Sequence, residues 1–158
     1  MSGSEQAVRP RDTSSAKETV MTAPQQPPVL GGPCPYLSVS NAGKAADFYV
    51  AAFGAKEVAR MPPDDKGRHM HIHLVINGGS LMLADAFPEH GAPLEKPAGF
   101  MLHLQVEDVD AAFDKAVKAG ATIAMPVQDM FWGDRYGQLR DPFGVMWTMG
   151  APIKATRP

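Results

Sequence analysis

The alternation of apolar and polar side chains changes period along this chain in a fixed order, and that order predicts the elements. Tyr36, Leu37, Ser38 and Val39 alternate with the two-residue period of a strand. Ser40-Asn41 then offers a helix N-cap, apolar Ala45, Phe48, Tyr49, Ala52 and Phe53 recur at helical spacing, and Gly54 ends the run. An extended piece follows near 56–61, then a polar loop over 62–68, then a hairpin of 69–76 and 80–85 around Asn77-Gly78-Gly79. In the first hairpin strand Ile72, Leu74 and Ile76 give one apolar face that packs under a helix, which leaves His69, His71 and His73 to share the other.

The same grammar returns further along. Leu102 to Val106 alternate, Asp108 caps, and Val109, Ala112, Phe113, Ala116 and Val117 form a helical stripe before Gly120. An extended piece over 122–126, a loop and a second hairpin follow, its turn marked by Asp141-Pro142-Phe143-Gly144. Leu37, Val39, Ala45, Asp47 and Val50 fall on Leu104, Val106, Ala112, Asp114 and Val117 at an offset of 67, and Leu74 and Gly79 fall on Leu139 and Gly144 at 65. Each half is therefore predicted to be β-α-β-β-β.

Composition narrows the class. At 158 residues, 44% hydrophobic and 20% charged, the chain fits one soluble domain. A net charge of −2 gives no electrostatic case for nucleic acid or an anionic membrane. The single cysteine, Cys34, excludes an internal disulfide framework and fits a reducing cytoplasm. Residues 1–29 have no apolar period and are expected to be a disordered tail, with Met21 as an alternative start. The folded part is expected over 30–152, with modules at about 33–88 and 99–150 and a short tail at 153–158.

The segments PYLSV, ADFYVAAFGA, HLQVEDVDAAFDKAVKAGA and FWGDRYGQLRDPFG resemble the vicinal oxygen chelate superfamily of glyoxalase I, extradiol dioxygenases and bleomycin-resistance proteins. The likeness is greatest to the glyoxalase-like branch labelled after demethylubiquinone methyltransferase, and FWGDRYGQLRDPFG is its specific part. The resemblance implies an α+β fold in which two βαβββ modules form curved sheets around a cavity, helices outside, and a homodimer. It also implies that a metal, where present, takes ligands from the first and last strand of each module. Carried over by strand position, those places are Cys34, Leu83, Met101 and Thr148. Leucine cannot ligate, and the other three do not make a site for a hard or borderline divalent ion. The usual metal centre is therefore expected to be absent, and no cofactor is expected.

The side chains expected to face the cavity are Tyr36 and Ser38, His71 and His73, Leu81, Leu83 and Asp85, Met101, His103 and Gln105, and Met146 and Thr148. Trp132, Arg135 and Tyr136 are expected at its rim, with Arg135 clamping an anion or stacking on Trp132, and Trp132 and Tyr136 serving ligand contact, lid packing or a dimer contact. Arg140, beside the turn, reads as structural. This lining suits a small organic ligand, aromatic or extended, bound or sequestered without turnover. The alternative is a lyase, isomerase or dioxygenase that uses His71, His73, His103 and Tyr36 as acid–base groups, or the histidines as an atypical divalent-metal site.

Overall fold

The computed structural model describes residues 25–154. Along them run β1 (Tyr36–Val39), α1 (Ala42–Phe53), β2 (Lys56–Arg60), β3 (Ile72–Ile76), β4 (Gly79–Asp85), β5 (Leu102–Gln105), α2 (Val109–Ala119), β6 (Thr122–Asp129), β7 (Asp134–Arg140) and β8 (Met146–Pro152), with one 3-10 turn at Pro88–His90 between β4 and β5. The predicted β-α-β-β-β order occurs twice. It yields two four-stranded sheets of the same plan, β1-β4-β3-β2 and β5-β8-β7-β6. The first strand of each module lies parallel to the last, and the remaining pairs are antiparallel.

The local signals act as expected. Asn41 accepts a bond from the Lys44 N–H at 2.9 Å and Asp108 one from Ala111 at 3.0 Å, which satisfies donors that each helix start would leave open. Gly54 takes φ 66 and closes α1. Asn77 and Gly78 both have positive φ, 51 and 79, the geometry that matches the twist of a two-residue hairpin.

Both helices pack on one side of their sheets. In the first module this side carries Leu37, Val39, Ile72, Leu74, Ile76, Leu81 and Leu83, and in the second Leu104, Leu139, Trp147 and Met149, all buried. The modules meet through this packed side. Helix α1 lies against α2, and the rings of Phe53 and Tyr49 sit 4.3 and 5.1 Å from that of Trp147. At the centre is Asp141, only 4% exposed. Its carboxylate accepts from the Tyr49 hydroxyl at 2.6 Å, the Trp147 indole N–H at 2.9 Å, and the backbone N–H groups of Phe143 and Val145 at 2.9 Å each. Burial, followed by the charge of Asp141 and the bond to it, pushes the Tyr49 phenol far above its ordinary value.

Three expectations change. Strand β3 starts at Ile72, because the Asp85 carboxylate takes the His69 N–H at 2.7 Å and bends the chain there. His69 consequently turns to the helix side, where a Cβ added at Gly43 of α1 would come within 3.2 Å of its ring, and it does not share a face with His71 and His73. Leu81, Leu83 and Asp85 also lie on the helix side, since the parallel register sets Leu37 beside Leu83 and Tyr36 beside Met82. Asp85 instead accepts from the Ala42 N–H at 2.9 Å at the start of α1. The expected tail over 1–29 falls mostly outside the described residues; 25–29 are described and run without regular structure.

Removing one donor from Asp141 leaves three, whereas removing the acceptor leaves buried donors unpaired. Tyr49→Phe is therefore expected to cost about 1–2 kcal/mol and Asp141→Ala about 3 kcal/mol or more in urea unfolding. Equal losses would contradict this account of the junction.

Candidate functional site

The sheet faces turned away from the helices carry the polar chemistry. On the first, strand alternation and register bring together Tyr36 and Ser38 of β1, His73 of β3, and Ser80, Met82 and Ala84 of β4. His71 joins them from just before β3: the Tyr36 hydroxyl and His71 Nδ1 are 2.8 Å apart, and the hydroxyl also lies 3.2 Å from the Met70 carbonyl oxygen. His73, 1% exposed, has its Nε2 2.8 Å from Ser80 Oγ. Desolvation, with the neighbouring His71 second, lowers the pKa of His73 and favours its neutral form.

On the second face, His103 and Gln105 of β5 stand beside Thr148 and Gly150 of β8. His103 Nδ1 is 2.7 Å from the Thr148 hydroxyl, and Nε2 is 3.1 Å from Gln105 Oε1. Its ring stacks on Tyr136 of β7 at 6.2 Å and 17°. Gly150 makes room for it, as a Cβ there would lie 3.0 Å from His103 Cε1. Met146 lies on the same side as Thr148, two residues along β8.

At the offsets found in the sequence, Tyr36 corresponds to His103 and His71 to Tyr136. Each face thus holds a phenol beside an imidazole, with the two residues exchanged between the modules.

The rim departs from expectation at one residue. Arg135 belongs to β7 rather than to a loop, and alternation points it away from Tyr136 and toward α2. It pairs there with Asp110 and Asp129, so its charge is already matched and it is not an anion clamp over the cavity. Hydrogen bonds from Arg135 hold the Asp110 carboxyl below its usual value. Trp132, in the β6–β7 turn, donates to Asp134 and meets Tyr136 edge-on at 5.5 Å, while its neighbour Phe131 is 96% exposed. Met101 precedes β5 and is half exposed.

The first- and last-strand positions that adjoin on these faces are Tyr36 with Met82 and His103 with Thr148, not Cys34, Leu83 and Met101. A phenol, a thioether, one imidazole and a hydroxyl are a poor donor set for a divalent ion, and among the described residues no three His, Cys, Asp or Glu side chains cluster as ligands. Cys34 donates to the carbonyls of Pro35 and Ser80.

In a single chain the imidazoles open into different cavities. One of about 320 Å³ is lined by Gln26, Pro27, Val29, Met61, His71, His73 and Met82. A second, of about 240 Å³, includes Leu30, Pro33, Leu102, His103 and Trp147. Sequence reasoning missed Met82, Ser80 and the contribution of residues 26–30. The pairing of β1 with β4 places the first two, and a segment with no periodicity gives no signal of where it packs.

Comparison with known proteins adds the following. Residues 31–149 match the sequence profile of the Glyoxalase/Bleomycin resistance protein/Dioxygenase superfamily. An uncharacterized protein of Mycobacterium tuberculosis is 44% identical over 126 residues, covering 76% of this chain and 74% of its own. The crystal structure of TioX from Micromonospora sp. ML1 covers 80% of this chain and 100% of its own at 26% identity and a TM-score of 0.58. The PhnB protein of Bacillus cereus, whose name refers to 3-demethylubiquinone-9 3-methyltransferase, shares the fold at 21% identity and a TM-score of 0.57, covering 75% and 98% of the two chains. Among the described residues no helix is long and apolar enough to cross a membrane.

Two outcomes test this geometry. Because the unfolded chain takes up a proton at His73 near the ordinary 6.5 while the folded chain resists it, stability falls as pH drops through that value. His73→Gln should reduce the loss of urea midpoint between about pH 7.5 and about pH 5, a window that brackets the ordinary histidine value. Arg135→Ala, which removes the ion pairs to Asp110 and Asp129 at the surface, should leave the urea midpoint nearly unchanged.

Proposed function

The chain belongs to the glyoxalase/bleomycin resistance protein/dioxygenase superfamily, and on that premise we propose that it binds a small organic molecule on its open sheet faces without a metal ion. The observation that carries this reading is the set of side chains at Tyr36, Met82, His103 and Thr148, which offers hydrogen bonds and adaptable apolar contact where metal-dependent catalysis would need a ligand set. Ser38, Gln105, Tyr136 and Met146 extend the same surface, and Trp132 borders it. The reading includes a homodimer. Tyr36 at 54% exposure, Met101 at 53% and Phe131 at 96% are large apolar groups that a second protomer would cover, enclosing the ligand between faces. The reading is binding or sequestration, supported by a lining of hydroxyl, imidazole and thioether groups that suits an organic guest. A reducing, cytoplasmic setting suits the unpaired Cys34 thiol.

A second reading draws on one contact. The 2.8 Å bond between the Tyr36 hydroxyl and His71 Nδ1 is a pair able to move a proton, so metal-free acid–base catalysis on a bound carbon acid is the alternative activity.

The test is titration of chelator-treated, tag-free protein with anilinonaphthalene sulfonate as the probe. Saturable binding that weakens about tenfold, or ~1.4 kcal/mol, in His103→Ala or Tyr136→Ala supports the binding reading. Stoichiometric metal that is lost on His71→Ala or His73→Ala would overturn it, as would an absence of saturable binding. Turnover of a defined substrate that disappears in Tyr36→Phe would establish the acid–base alternative.

A further inference from the structure

Residues 26–35 precede the first strand, carry no helix or strand, and nevertheless border both histidine clusters. Their course is pinned by specific bonds. The Leu30 N–H donates to Ser80 Oγ at 2.8 Å and the Ser80 N–H donates back to the Leu30 carbonyl at 2.9 Å. Cys34 Sγ donates to the Ser80 carbonyl at 3.4 Å, and the Met82 N–H donates to the Pro35 carbonyl at 2.9 Å. The chain therefore pairs with the start of β4 before β1 begins. Ser80 is the shared post, since its hydroxyl also meets His73 Nε2.

Upstream of that anchor, Gln26, Pro27 and Val29 line a cavity of about 320 Å³ whose other walls are Met61, His71, His73 and Met82. That volume is at the small end of organic-ligand sites. The lining is mainly apolar and contains no lysine, arginine or carboxylate; its only ionisable groups are two imidazoles. His73 Nε2 is engaged by Ser80 and His71 Nδ1 by Tyr36, which leaves His73 Nδ1 and His71 Nε2 unbonded; His73 is only 1% exposed while His71 is part-exposed, so His71 Nε2 is the ring nitrogen that meets a guest.

We propose that residues 26–30 are a built-in strap that roofs a ligand site on the first sheet, and that this site takes a planar, mainly apolar molecule bearing one weakly acidic group, a phenol or an aromatic carboxylic acid, that meets His71. The proposal rests on the binding function above and specifies its ligand and its closure. Pro27 and Val29 lie on one face of the guest, Met61 and Met82 supply deformable contact from the sheet, and the acidic group shares or transfers its proton to His71. No bond to carbon is made or broken. Proline in the strap lowers the conformational freedom lost when the strap is ordered. The two modules, alike in plan, are unequal as sites, because Gln26, Pro27 and Val29 line the cavity of His71 and His73, whereas only Leu30 of the strap reaches that of His103.

The test uses the full chain and the double variant Pro27→Gly/Val29→Gly, which alters the strap and leaves Ser80, His71 and Met82 in place. Carbethoxylation of His71, mapped by mass spectrometry, should be at least about threefold faster in the variant, with His90 unchanged as an internal reference, a change of the order expected for releasing a locally packed segment. An unchanged His71 rate overturns the strap whether or not anything binds. Naphthol and naphthoate should bind the full chain at least about tenfold more tightly than methoxynaphthalene, and lose about fivefold in the variant, differences of roughly 1–1.4 kcal/mol. Equal binding of methoxynaphthalene overturns the acidic-group assignment. A faster His71 with undiminished naphthol and naphthoate binding overturns the roof as part of the site. Failure of both to bind a full chain that still binds anilinonaphthalene sulfonate overturns the ligand class alone, whereas failure of all three probes removes the underlying binding function as well.

Discussion

A buried carboxylate with four donors joins the two halves of this protein. Asp141 belongs to the turn of the second module, Tyr49 to the helix of the first, and Trp147 to the strand that follows the turn. A carboxyl group so enclosed is tolerable only if its acceptor capacity is filled, and here two side chains and two backbone N–H groups fill it. The rings of Phe53, Tyr49 and Trp147 pack around it and exclude water. By joining the modules through their helix-bearing sides, the junction leaves the opposite faces to carry Tyr36, His73, His103 and Thr148.

The architecture was legible in the sequence because the determinants are local. Asn41, Gly54 and Asp108 act within one turn of the residues they cap, and the strands show their period directly. The repeat made the second module an independent reading of the first. The sites of Tyr36, His73, His103 and Thr148 were likewise accessible from alternation once the strand was known. What failed depended on partners far along the chain. The facing of β4 is set by a parallel register to β1, so Leu83 and Asp85 appeared on the wrong side until that pairing was known. His69 is redirected by Asp85, sixteen residues away. Arg135 looked free because its partner Asp110 lies at the start of α2, 25 residues away.

The packing of residues 26–30 was missed for a different reason. Their proline and glutamine content gives no period, and segments of that kind are ordinarily read as solvated. Two reciprocal bonds at Ser80 are enough to order the part nearest the domain, since the anchor is short and the chain beyond Leu30 is already committed to the sheet. Composition reports the tendency of a segment in isolation and is silent about a docking place formed by others.

The exchange of phenol and imidazole between the modules bears on how such a surface changes over time. Tyr36 with His71 and His103 with Tyr136 preserve a chemical inventory while reversing its addresses. Position-by-position comparison of the two halves would score both places as divergent, although the pair as a whole has been retained. The donors and acceptors on the two faces are alike, and only the strands that present them differ. The two modules are thus more alike in chemical inventory than in the order of their residues.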